Sequence, residues 1–196
     1  MPSLRLWVNF MGNNSILESL PEKLVEMGAF RAAFVPIEEV KTDVCFREMC
    51  ERNVCGKYGK CWTCPPSAGD INELINSLQT FTRVLVYQTV SELEDSFDIE
   101  GMYEAGRRHN QMLQKIMELY NAETLGCRVM HLGAGGCQVC ERCAKQDDIP
   151  CRFPEKAVSS LETYGINVSE LAKSGGMKYI NGQDTVTYFG AIFVAD

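Results

Sequence analysis

The stretch Thr185-Val186-Thr187-Tyr188-Phe189-Gly190-Ala191-Ile192-Phe193-Val194 is β-branched or aromatic almost throughout, with no proline and no charge. A run apolar on both faces is buried on both, so it reads as a strand inserted centrally in a sheet. Upstream, Arg83-Val84-Leu85-Val86-Tyr87-Gln88-Thr89-Val90 has the same bias and is expected to be a second strand, partly buried on both faces. Cys127 to Leu132 and Phe30 to Val40 read as two more strands, and Leu4, Leu6, Val8 and Phe10 alternate as a short strand over residues 4–10.

Helical signals separate these strands. Ser19 is placed to cap a helix with Pro21 and Glu22 in its first turn and an end at Gly28. Asp70 and Glu73 form a capping-box-like pair before Ile71, Leu74, Ile75 and Leu78, which recur at helical spacing. From Met102 to Tyr120, the positions Met102, Ala105, His109, Met112, Ile116 and Tyr120 make one stripe of a long helix. Pro154 suits the first turn of a helix through Leu161 that stops by Gly165. Asn167 and Glu170 predict a further short helix closed by Gly175. The pattern predicts an α/β or α+β fold, with a central mixed or antiparallel sheet flanked by helices. Residues 1–196 are expected to form one globular domain or two small lobes. No internal repeat, heptad run or low-complexity tract interrupts it.

At 196 residues, 45% hydrophobic and 23% charged, the chain is long enough to bury one sizeable core. Ten cysteines are about 5% of it, short of the roughly 8–10% of disulfide-built secreted chains. The start, Met1 to Phe10, lacks a basic run followed by a long apolar stretch, so no export signal is expected. No segment approaches the ~18 apolar residues of a membrane span, and a reducing cytoplasm is the expected compartment. There, clustered cysteines bind metal or do redox work more often than they form structural disulfides. The net charge of −7 argues against a nucleic-acid partner, which would call for clustered Lys and Arg.

Nine of the ten cysteines fall in two loops, 45–66 and 133–154, each expected to bind metal. The second loop is spaced Cys137-x2-Cys140-x2-Cys143-x7-Cys151. A cubane iron–sulfur cluster offers four iron corners, and C-x2-C-x2-C lets consecutive thiolates reach three of them, as in bacterial ferredoxins. Cys151 arrives seven residues later and can return to the same cluster. Gly133, Gly135 and Gly136 permit unusual backbone angles that would direct amide N–H groups at the sulfurs. The alternative is zinc, which usually gathers its four sulfurs as two separated C-x2-C pairs.

The first loop reads Cys45-x4-Cys50-x4-Cys55-x5-Cys61-x2-Cys64-Pro65-Pro66, one cysteine more than a four-ligand centre needs. Arg47, Arg52, Lys57 and Lys60 give it local positive charge that would lower thiolate pKa and favour an anionic cluster. Tyr58 and Trp62 are placed either to shield a cluster from water or to pack beneath the loop.

The stretch Cys50-Glu51-Arg52-Asn53-Val54-Cys55-Gly56-Lys57-Tyr58-Gly59-Lys60, followed by Trp62, Cys64, Pro65 and Pro66, resembles the signature of a cysteine-rich prokaryotic family of predicted metal-binding proteins of unknown function. Gly133-Ala134-Gly135-Gly136-Cys137, Cys140, Cys143, Pro150-Cys151-Arg152 and Thr185 to Gly190 are similar to that family's other blocks, so the resemblance runs from about residue 30 to the end. It implies metal binding, with iron–sulfur chemistry, and no agreed reaction. By this resemblance the first-loop ligands are Cys50, Cys55 and Cys64, and the fourth is open between Cys45, Cys61 and none. A corner left open to substrate would suit a redox enzyme or an activating factor, whereas closure suits electron transfer. Spare thiols nearby favour closure.

Three readings follow: an electron-transfer protein with two 4Fe–4S clusters and a redox partner protein, a redox enzyme or activating factor, and a zinc-stabilised interaction module. With only two histidines, a histidine-based centre has little material. His109 is expected in the core, His131 in a structural role on its strand, and Cys127 as a buried thiol. No Walker loop, dinucleotide fingerprint or nucleophile elbow is present.

Overall fold

The computed structural model describes residues 16–196 and is an α+β fold. Its strands are β1 (Arg31–Pro36), β2 (Arg83–Glu92), β3 (Arg128–Leu132) and β4 (Thr185–Ala195). They form one antiparallel sheet in the order β1-β2-β4-β3. The C-terminal strand is central, as its two-sided apolarity predicts: β4 runs against β2 from Arg83↔Val194 to Glu92↔Thr185 and against β3 from Arg128↔Ala195 to Leu132↔Ala191. The expected strand over residues 4–10 lies outside the described residues.

Helices cover both faces of the sheet. On one side α1 (Leu20–Glu26) and a 21-residue helix, numbered α4 below (Ile99–Leu119), bury Leu20, Leu24, Met112, Leu113 and Ile116 against Leu85, Tyr87, Ile192 and Val194. On the other, Leu78, Leu161, Ile166 and Leu171 pack on Val84, Val86, Ala191 and Phe193. The remaining helices are α2 (Cys45–Glu51), α3 (Ile71–Leu78), α5 (Ala122–Leu125) and α6 (Val168–Ser174). Among the described residues no helix is long and apolar enough to cross a membrane.

Local capping follows the sequence at two of these helices, α3 and α6. Asp70 Oδ1 accepts from the N–H groups of Asn72 (2.8 Å) and Glu73 (3.2 Å) at α3. Asn167 Oδ1 accepts from Glu170 N–H at 3.1 Å, and α6 ends against Gly175. α4 begins at Ile99, three residues before the predicted Met102, because Asp98 caps it through Gly101 N–H at 2.8 Å. Ser19 does not cap α1; its hydroxyl donates back to the Ile16 carbonyl at 2.9 Å.

Two expectations are corrected. The strand predicted to reach Val40 ends at Pro36, where its partner strand begins at Arg83, and Ile37–Glu39 turns as a 3₁₀ helix. The helix predicted from Pro154 to Leu161 is a single 3₁₀ turn, Pro154–Lys156, followed by extended chain. There Gly133 N–H donates to Ser159 O and Leu161 N–H to Gly133 O, both at 3.0 Å. Tertiary pairing therefore supplies the backbone partners that a helix would have supplied, and buries Val158 and Leu161.

Candidate metal centre

Both cysteine loops emerge where the sheet and its flanking chain deliver them. β3 runs into Gly133 and loop 133–154, while the segment before Cys45 is latched to the chain before α6 by Asp43 N–H to Gly165 O (2.7 Å) and Asn167 N–H to Lys41 O (2.9 Å). The three glycines have distinct reasons. A Cβ on Gly133 would lie 2.6 Å from Leu113 Cδ2, Gly135 turns at φ +66°, and a Cβ on Gly136 would sit 3.2 Å from Cys64 Sγ. The last distance shows that the two loops touch.

Their contact is extensive. Trp62 Nε1 donates to the Ile149 carbonyl at 2.9 Å, and the Lys145 ammonium lies 4.8 Å from the centre of the Trp62 ring. The Lys57 stem packs over Gly136. Cys61 and Cys64 are buried side by side, with Cys143 of the second loop beside Cys61. Hydrogen bonding to Cys64 holds the Cys61 thiol below its ordinary value against the cost of burial, with Thr63 and Cys143 adding to the effect. Cys64 is correspondingly pushed up, so one of the pair is the ready thiolate.

All four second-loop thiols line one small cavity of about 20 Å³, with Val139, Ala144, Arg152 and Phe153 completing its wall. Burial pushes the Cys137 thiol up, while the backbone N–H groups of Val139 and Val158 donate to its sulfur and favour the thiolate. The amides that act on Cys137 are those of Val139 and Val158 rather than those of the three glycines. Among the described residues no three Cys, His, Asp or Glu side chains converge tightly enough to hold one ion.

At the far end of the first loop, Cys50 and Cys55 line an apolar pocket with Phe46, Met49, Val54 and Tyr179. Burial raises the Cys50 thiol, Cys55 raises it further and Arg47 opposes them. The charge of Cys55 also raises Cys64. Arg47 donates through Nη1 to Gly69 O at 3.0 Å, and its buried Nε and Nη2 have no partner among the described residues, a cationic fit for an anionic group beside Cys50. Cys45 is exposed, and its thiol is raised by hydrogen bonding to Asp43. The expected general lowering of first-loop thiol pKa is therefore corrected: it falls on Cys61, whereas Cys45 and Cys50 are raised.

Tyr58 is half-buried with its N–H on Asn53 Oδ1 (3.0 Å), and Lys60 is exposed. Trp62, not Tyr58, is the aromatic residue that joins the loops. His109 is a core residue, 2.9 Å from Thr89 Oγ1 through Nδ1, and burial lowers its pKa to about 4. His131 lies 3.1 Å from the Tyr120 carbonyl through Nε2 and is similarly lowered by burial to about 4. Cys127 is half-buried, with its thiol raised by burial. Sequence reasoning did not single out the Val139 and Val158 N–H groups, which carry no residue-type signal. Arg47 was visible as a charge, but its unpartnered nitrogens were not.

No curated protein and no solved structure matches the chain. The family described as predicted metal-binding protein (DUF2284) matches residues 33–194, which take in both cysteine loops and all four strands except the first two residues of β1 and the last of β4, and the chain belongs to that family.

Proposed function

We propose that this chain is an iron–sulfur protein holding two cysteine-ligated clusters, of the 4Fe–4S type, in adjoining loops and using them for electron transfer. The observation that carries this reading is the single cavity lined by Cys137, Cys140, Cys143 and Cys151, with two backbone N–H groups directed at Cys137. Four thiolates match the four iron corners of a cubane, and N–H to sulfur bonds are a means by which proteins tune such centres. When bound, the clusters supply one-electron oxidation and reduction.

The chain's residues hold and shield these groups. Phe153 and Ala144 close the second-loop cavity, and the free nitrogens of Arg47 offset negative charge near Cys50. Cys50, Cys55 and Cys64 form the first ligand set, with Cys61 as its fourth member in preference to Cys45. Cys61 lies against Cys64, whereas the exposed Cys45 is engaged with Asp43. Because Cys61 also adjoins Cys143, the two centres share an edge, and an electron can pass between them on its way to a redox partner protein. If Cys61 instead serves only the second loop, the first centre keeps an open corner and the chain is a redox enzyme or activating factor.

One observation favours a second reading, structural zinc: a cavity of about 20 Å³ has room for a single water-sized sphere. Anaerobic purification followed by iron, acid-labile sulfide and zinc analysis separates the two. Two cubane clusters give about eight irons and eight sulfides per chain. A colourless protein with zinc and no labile sulfide would exclude the first reading.

A further inference from the structure

A second cavity, of about 200 Å³, abuts the cysteine site from the side of α4. Its walls are the Gly133–Gly136 backbone, the α4 face bearing Arg107, Gln111 and Gln114, and the chain at Lys156. The Gln114 amide donates to the Lys156 carbonyl at 3.0 Å, which fixes the last wall to the helix. The glycine wall carries almost no side chains: Leu113 occupies the space a Gly133 side chain would need, and Gly135 turns at positive φ. Among the described residues the N–H groups of Ala134, Gly135 and Gly136 make no backbone hydrogen bond.

The charge here runs against the rest of the molecule. The chain has 26 Asp and Glu and a net charge of −7, yet among the described residues no acidic side chain lines this cavity and both Arg107 and Lys156 do. Glu104 pairs with one guanidinium nitrogen, Nη2, and steadies Arg107 at the rim, its other N–H donors having no partner among the described residues. Cationic side chains, side-chain amides and uncommitted backbone N–H groups are the donors that recognise oxyanions. The volume lies below the 300–1,000 Å³ of drug-sized sites, which sets the ligand at the scale of a small metabolite. Cys137 and Val139 line both this cavity and the one between the four thiols, so an occupant would sit against the second cysteine centre.

We propose that this pocket binds a small metabolite bearing a carboxylate or phosphate group, held by Arg107, Lys156 and the Gly135 loop beside Cys137. The proposal deepens the metal-centre reading and rests on it only for the ligand's redox neighbour; the binding itself does not need it. The test is calorimetric titration of the anaerobically purified full chain with succinate and, separately, inorganic phosphate in a chloride buffer. One of the two should bind with a dissociation constant below about 1 mM. Succinate binding alone identifies a carboxylate ligand, and phosphate binding alone a phosphate ligand.

R107Q and K156Q, both at exposed side chains, should each weaken that binding about tenfold or more, as expected for loss of a charge-assisted hydrogen bond. Binding of neither anion, or unchanged binding in both variants, overturns the proposal. Metal analysis of the same preparations keeps the two ideas apart. A metal-loaded chain that binds neither anion defeats the pocket alone, while a chain without iron or zinc that still binds defeats the metal centre and leaves the pocket standing.

Discussion

In the sheet, Val84, Leu85, Val86, Tyr87, Ala191, Ile192, Phe193 and Val194 are each wholly buried, and both faces are roofed by helices. In the two cysteine loops, beyond α2, the chain passes through short turns, with Asn53, Gly56, Gly59, Gly135 and Asp148 at positive φ and few side chains out of water. The sheet is sustained by apolar area removed from water and needs no ligand. The loops have little such area; they are joined by Trp62 on Ile149, Lys145 on Trp62 and a seam of thiols. The difference teaches that the core is held apart from the thiol-bearing surface, so stability and metal content should respond to different substitutions.

Phe193→Ala is the strongest way to test this. It empties a fully buried site in the central strand and should cost about 3–5 kcal/mol of stability by denaturant unfolding. Metal content per folded chain should be retained; metal lost from the still-folded fraction would break the separation.

Acid should act next, and through the core. His109 has its pKa lowered by burial to about 4, below the unfolded value of about 6.5. Below pH ~6.5 the unfolded chain therefore takes up the proton first, and stability falls until about pH 4. The effect is on the order of 3 kcal/mol. Thermal melting followed by far-UV circular dichroism should show a shallower acid slope in H109Q, and an identical slope would refute the assignment.

Trp62→Phe removes the indole donor to Ile149 while keeping an aromatic ring. It should cost about 1 kcal/mol and chiefly loosen loop on loop, seen as faster amide hydrogen exchange over residues 137–151 with the strands unchanged. Equal acceleration in the strands would merge the two regions that the comparison separates.

The smallest effect is expected at Cys45. Cys45→Ser, at an exposed thiol, should leave stability within about 0.5 kcal/mol and metal content unchanged, whereas Cys61→Ser should lower metal content. The reverse outcome would make Cys45 the fourth ligand.

The central strand, the caps at Asp70 and Asn167 and the four-cysteine spacing of the second loop were legible in sequence because each depends on residues within a few positions of one another. The strand to Val40 and the helix from Pro154 were misread because distant partners ended or replaced them: Arg83 opposite Pro36, and Gly133 beside Ser160. The same limit hid how the two loops relate. Trp62 and Ile149 are 87 positions apart, and no local spacing indicates that they meet or that Cys61 comes to lie beside Cys143.

The sequence by itself determined the central strand, the capped helices α3 and α6 and which thiols are close neighbours along the chain, since propensity, periodicity and spacing act over a turn or a strand. Only the tertiary structure decided that the two cysteine loops make one surface, with a positively lined pocket at its side. The physical reason is that sheet register and the packing of α4 bring those segments together, and the energy that holds them there is buried far from the residues that carry the chemistry.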